Sequence, residues 1–120
     1  MPRLQISPEH ILAFALCNGS AVAAVITLVN RDSKPVAFKL KTTSPSSYFV
    51  EPSKGVLAGG TALVRVTLQR LLSESQLDKD KFLVQSTALP PGQLRLTAEL
   101  FDRSENPDIH AHKLRVRVVS

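Results

Sequence analysis

Cationic side chains stand opposite the apolar set in three separate stretches of this chain, at every second position in two of them, and that spacing is its clearest chemical signal. In VAFKLKTT (36–43), Lys39, Lys41 and Thr43 share one parity, opposite Val36, Phe38 and Leu40. Successive residues of a strand point to opposite faces. If the apolar set packs inward, two ammonium groups and a hydroxyl face out. In KFLVQST (81–87), placing Phe82 and Val84 inward leaves Lys81 and Leu83 outside, and in HKLRVRVV (112–119) Lys113, Arg115 and Arg117 lie opposite Leu114, Val116 and Val118. Ammonium and guanidinium groups beside hydroxyls recognise carboxylates or phosphates without covalent chemistry. A leucine among them adds an apolar anchor.

Covalent chemistry finds little support. The chain holds no G-x-S-x-G, phosphate loop, H-E-x-x-H or Cys-x-x-Cys, and GVLAGG (55–60) lacks the spacing of a nucleotide loop and reads as a turn before a strand. An enzyme is not expected. His110 and His112 stand at strand spacing, but a zinc site needs two further ligands, and His10 and Cys17 are distant. They read as surface histidines, with no metal and no cofactor, and Cys17 reads as a small core or edge residue.

The chain has 120 residues, 43% hydrophobic and 21% charged, which is the balance of one globular domain covering 1–120. Fifteen Lys and Arg against ten Asp and Glu give a net charge of +5. That surplus favours anionic partners without naming one. Single-stranded nucleic acid wants exposed aromatics for stacking. All five phenylalanines and Tyr48 read as core or near-core, so nucleic acid is not expected. One cysteine permits no internal disulfide and suits a reducing, cytoplasmic compartment. The longest apolar run (21–29) is about half of the ~20 residues a membrane helix needs. ILAFALC (11–17) resembles a short secretory core, yet Pro8, Glu9 and His10 interrupt its approach. The sequon at Asn18, Gly19 and Ser20 is then idle.

Short strands between turns position these residues. The pattern predicts strands over 5–7, 11–14, 21–30, 36–43, 49–51, 62–68, 82–87 and 113–119, with turn chemistry in NRDSKP, TSPSS, EPSKG, AGG and SESQLDKD. Seven or eight strands at this spacing predict an all-β, antiparallel sandwich. GQLRLTAELFDR (92–103) stays open between strand alternation and a helical face.

In order and with matching gaps, ISPEHILAF, VITLVNRDSKPVAFKLKTTSPSSYFVEPSKGVL, VRVTLQ, DKDKFLVQS and HKLRV resemble the major sperm protein (MSP) domain, and KFLVQS its VAMP-associated branch. The resemblance covers nearly the whole chain. It implies a seven-stranded immunoglobulin-like sandwich with at most one short helix, tipping 92–103 toward helix around Phe101. It further implies binding of acidic, phenylalanine-containing short motifs of the FFAT type, as an adaptor in membrane tethering or lipid transfer. By the same resemblance Lys39, Lys41, Thr42, Thr43, Lys81, Leu83 and Lys113 contact the peptide, and Pro8 and Pro52 shape loop crossings. Leu83 stands where relatives often carry methionine. Thr42 shares the core parity and is expected to serve backbone groups, with Thr43 the better ligand donor. Such proteins usually continue into a coiled coil and a membrane anchor, whereas this sequence stops at Ser120. This leaves open a free-standing family member or a domain of a longer protein, so the cytoplasmic address expected from the single cysteine stands, with recruitment to the endoplasmic reticulum or contact sites through partners or an anchor not in this sequence. The alternative is a self-assembling structural protein like the nematode relatives, and a weak homodimer fits either.

Overall fold

The computed structural model describes residues 4–15, 22–69, 79–93 and 95–119. Runs of β-branched and aliphatic residues form nine strand segments: β1 Leu4–Ser7, β2 Ile11–Ala15, β3 Val22–Asn30, β4 Val36–Thr42, β5 Tyr48–Glu51, β6 Lys54–Leu57, β7 Gly60–Leu68, β8 Lys81–Ala88 and β9 His110–Val119. They build a four-stranded sheet in the order β1-β3-β7-β5 and a five-stranded sheet in the order β2-β9-β8-β4-β6.

Two prolines divide nine segments into seven strands. β1 and β2 are consecutive and belong to different sheets, and Pro8 opens the step between them; β5, Pro52 and β6 repeat the arrangement. Proline has no N–H to give a ladder, so pairing stops there and the chain crosses to the other sheet. Both Ser7–Pro8 and Glu51–Pro52 are cis. Counting each crossing pair once recovers the seven-stranded immunoglobulin-like sandwich.

Three details differ from the sequence reading. β2 pairs with β9 in parallel, so the sandwich is not wholly antiparallel. Lys54 and Gly55, read as the end of a turn, open β6, which pairs with β4. Gly55 fits there because a Cβ would stand 2.9 Å from Cζ of Phe38. The open segment 92–103 yields only one 3₁₀ turn, Ala98–Phe101. Leu100 and Phe101 bury against Ala37 and Leu89, with Leu96 packed beside them.

The core lies between the sheets. Ile26, Leu28, Val64 and Val66 from one sheet meet Leu12, Phe14, Phe82, Val84 and Leu114 from the other, and each of these residues is at most 1% exposed. Tyr48 joins them, its ring 4.9 Å from that of Phe82 in an edge-on contact. Parity then forces the next residue out. Phe49 is 51% exposed on the outer face of the four-stranded sheet, correcting the expectation that every aromatic is core or near-core.

Candidate functional site

Register on the five-stranded sheet brings the predicted residues together. Lys41 pairs with Leu83 and Leu83 with Lys113, so these three form one row across β4, β8 and β9. Leu83 is half-buried, between buried Phe82 and Val84, and its side chain lies on the outer face. In the next row Lys81 pairs with Arg115. Thr43 stands on the other side of Lys81, donating its N–H to the Lys81 carbonyl at 3.1 Å and accepting the Lys81 N–H on Oγ1 at 3.0 Å. The Thr43 hydroxyl proton is left for another partner. On the opposite side of the Leu83 row, Lys39 pairs with both Gln85 and Lys54.

The result is a shallow apolar concavity ringed by cations. Lys41, Thr42, Thr43, Lys81, Phe82, Leu83 and Lys113 line a volume of about 320 Å³. Thr42 Oγ1 likewise accepts a backbone N–H, that of Ser44 at 3.2 Å, which ties Thr42 to the turn after β4. Lys39 does not line the concavity. It is half-buried, and its Nζ sits 6.0 Å from the centre of the Phe101 ring, a cation–π arrangement.

Parity alone leaves part of this face hidden. Ala37, Gln85 and Thr87 have the outward parity, yet all are buried. The 3₁₀ turn and the loop after it cover them, with Asn106 Nδ2 donating to Thr87 Oγ1 at 3.0 Å. The open wall is therefore confined to the rows nearer Leu83. A larger concavity of about 390 Å³ lies beyond this cover, but Glu99, Glu105 and Asp108 line it, and they repel an acidic ligand.

The support beneath the site includes residues that sequence reasoning missed. Buried Asp80 accepts hydrogen bonds from the Tyr48 hydroxyl on Oδ2 and the Ser44 hydroxyl on Oδ1, both at 2.6 Å. This ties the loop after Thr43 to the start of β8 and fixes Phe82 through the Tyr48 ring. Burial, followed by the hydrogen bond and charge of Asp80, pushes the Tyr48 hydroxyl well above its ordinary pKa. No motif in the sequence marks Asp80, because its partners lie 32 and 36 positions away.

Charge is segregated between the sheets. The five strands of this sheet contain Lys39, Lys41, Lys54, Lys81, Lys113, Arg115 and Arg117 and no carboxylate, whereas the other sheet's strands carry only Arg65 and Glu51. Among the described residues the one contact within ion-pair distance is Glu9 Oε2 with His10 Nε2, 3.5 Å apart. His112 and His110 are half-buried. The His112 ring nitrogen meets the Glu9 carbonyl and its ring stacks on His10 with centres 6.5 Å apart. Cys17 and the sequon at Asn18 lie outside the described residues.

This is an immunoglobulin-like β-sandwich whose broader sheet offers a basic wall around a small apolar seat. A family model for the MSP (major sperm protein) domain matches residues 3–116, and the chain belongs to that family. Vesicle-associated protein 2-2 of Arabidopsis thaliana is 38% identical over 124 residues, covering 99% of this chain and 32% of that protein. Vesicle-associated membrane protein-associated protein B of Rattus norvegicus is 34% identical over 114 residues, covering 93% and 46%. The chain thus spans about a third to a half of these relatives. The solved structure of WR4, an MSP family member of Caenorhabditis elegans, superposes with a TM-score of 0.73 at 12% identity, covering 99% of this chain and 100% of that one, a likeness of fold. Among the described residues no helix is long and apolar enough to cross a membrane.

Proposed function

We propose that this domain is a non-enzymatic interaction module that captures short acidic peptides bearing a phenylalanine, of the FFAT type. The carrying observation is Leu83 at the centre of the row Lys41, Leu83, Lys113, with Lys81 beside it on the same strand. Leu83 offers an apolar seat for a ring, and the surrounding ammonium groups suit carboxylates on either side of it. Thr43 is the hydroxyl donor, Thr42 holds the turn, and Lys39 works from the rim.

Magnitudes assign the roles. An exposed ion pair contributes ~0 to 1 kcal/mol, whereas burying a phenylalanine contributes ~1.5 to 3 kcal/mol. The ring therefore sets specificity, and the charges raise the association rate and make it salt-sensitive. A micromolar complex corresponds to about −8 kcal/mol, within reach of one ring, several ion pairs and a few backbone hydrogen bonds. In the cell such a module acts as an adaptor at membranes where its partners reside. The relatives with vesicle-associated names are consistent with that setting.

The test is titration of a labelled acidic, phenylalanine-bearing peptide against the wild type and the Lys81→Asp, Leu83→Asp double variant. Micromolar binding lost at least about 30-fold in the variant supports the reading. Equal affinity in both removes it.

A second reading, self-assembly, draws on the opposite wall. Val25, Phe49 and Leu63 are 49%, 51% and 64% exposed on the outer face of the four-stranded sheet. Sedimentation across a concentration series separates the two: growth in mass without peptide favours assembly, and a constant monomer favours capture.

A further inference from the structure

The turn between β4 and β5 is fastened to the sandwich at both ends, and one fastening is a hydroxyl that chemistry can remove. Pro45 follows Ser44, and the Ser47 N–H closes the turn on the Ser44 carbonyl at 3.0 Å. Ser47 is buried, and its carbonyl accepts the Gln69 N–H at 2.8 Å, so the far end is held by backbone. The near end depends on side chains. Thr43 Oγ1 accepts the Lys81 N–H at 3.0 Å, and the Ser44 hydroxyl donates to Oδ1 of buried Asp80 at 2.6 Å. Ser44 is only half-buried, and Pro45 and Ser46 are exposed. An oxygen at the surface is therefore one hydrogen bond from the carboxylate that organises the groove's floor.

The sequence singles out the same oxygen. Two serines in the chain precede proline, Ser7 and Ser44. Ser7 lies in β1 and pairs with Thr27, so an enzyme could draw it out only by unpairing the strand. Ser44 lies between strands. Because proline has no N–H, a Ser-Pro step suits a kinase whose subsite after the serine accepts a ring and asks for no hydrogen bond there.

Resting on the function proposed above, we infer that Ser44 is a phosphorylation site for a proline-directed protein kinase, and that the phosphate switches the peptide groove off. The Ser44 oxygen attacks the γ-phosphorus of ATP. The new Oγ–P bond forms as the bond from the γ-phosphorus to the β,γ-bridging oxygen breaks, ADP leaves, and the hydroxyl proton passes to the kinase's base. Ser44 then has no proton to donate, and a group of charge about −2 stands against the Asp80 carboxylate. The two repel. Asp80 Oδ1 loses its donor, and the near end of the turn leaves β8 together with Thr43, which lines the groove. Lys79 and Lys81 flank Asp80 and are exposed, so the expelled phosphate finds ammonium groups beside it. Capture of Lys81 takes a cation from the groove.

The experiment treats the folded domain with a proline-directed kinase and ATP, locates the phosphate by peptide mass spectrometry, and reads affinity for an acidic, phenylalanine-bearing peptide by fluorescence anisotropy. Ser44→Ala and Ser7→Ala are treated in parallel. A domain with phosphoserine installed at position 44 during translation supplies complete modification. The wild type and Ser7→Ala are expected to gain one phosphoryl group at Ser44, and Ser44→Ala none. The modified domain is expected to bind the peptide at least about tenfold more weakly, with phosphatase restoring the affinity. Ser44→Ala loses a donor to Asp80 and adds no charge, so its affinity should stay within about threefold of wild type before and after treatment. The modified domain should also unfold at a lower denaturant midpoint than Ser44→Ala. Absence of phosphate from Ser44 after kinase treatment overturns the site. Installed phosphoserine with affinity within about twofold of the unmodified domain overturns the switch. If the unmodified wild type binds no peptide while kinase treatment still phosphorylates Ser44 and lowers the midpoint, the groove and its switch fall and the Ser44 site stands.

Discussion

Asp80 shows what one buried carboxylate does for a site it does not line. Its two oxygens hold the Tyr48 and Ser44 hydroxyls, so Asp80→Ala leaves a buried phenol without a partner. The expected cost is about 1 to 3 kcal/mol in denaturant unfolding, with no change in the slope m. An unchanged midpoint would contradict that role. Tyr48 carries a second consequence. The folded state keeps its proton where the unfolded chain, with an ordinary value of 10.0, loses it. The unfolded state therefore binds fewer protons above pH 10, and stability is full below that value and falls as pH rises beyond it. Tyr48 is the sole tyrosine and tryptophan is absent, so tyrosinate absorbance reads this group directly. It should appear only as the fold is lost; titration near pH 10 with the fold intact would contradict the burial. Among the site residues, the outward parity of Lys41, Lys81, Leu83 and Lys113 was legible because each neighbours an obligate core residue. Asp80 was not, because a buried polar group is recognisable only by partners the sequence keeps far apart.

At the scale of elements, alternation and turn chemistry were enough to locate the strands that carry the site, while the crossings at Pro8 and Pro52 came from the family resemblance. β6 escaped notice because KGVL offers only two large apolar side chains, and its pairing with β4 depends on a glycine. Gly55 sits across from Phe38, and a methyl group there would press on the ring. Gly55→Ala is expected to destabilise the domain by about 1 to 3 kcal/mol and to loosen β6, while the companion Phe38→Leu change recovers part of the loss. Additive losses in the double variant would contradict the contact. The covered rows of the outer face were equally hidden from the sequence. Parity placed Gln85 and Thr87 in solvent, and only the path of the segment after the 3₁₀ turn puts them under cover.

For the whole molecule, a net charge of +5 understates the asymmetry. Seven cations and no carboxylate on the strands of one sheet, against one of each on the other, give the domain a positive face and a neutral one. An acidic ligand approaching within a Debye length of ~10 Å at 0.1 M salt is steered to the first. Raising salt from 0.05 to 0.5 M should therefore slow association several-fold while leaving dissociation nearly unchanged, as stopped-flow mixing would show. Salt-independent association would mean that the wall does not guide the ligand. The charge total was legible from composition. Its concentration on one sheet was not, because pairing joins β2, β4, β6, β8 and β9 from positions spread along the whole chain.

The most direct test is a backbone amide NMR titration with an acidic, phenylalanine-bearing peptide. The largest shifts should fall on Lys41, Thr43, Lys81, Leu83 and Lys113, with Val25, Phe49 and Leu63 unmoved. Shifts centred on the latter three, with the Leu83 row silent, would contradict the assignment of the binding face.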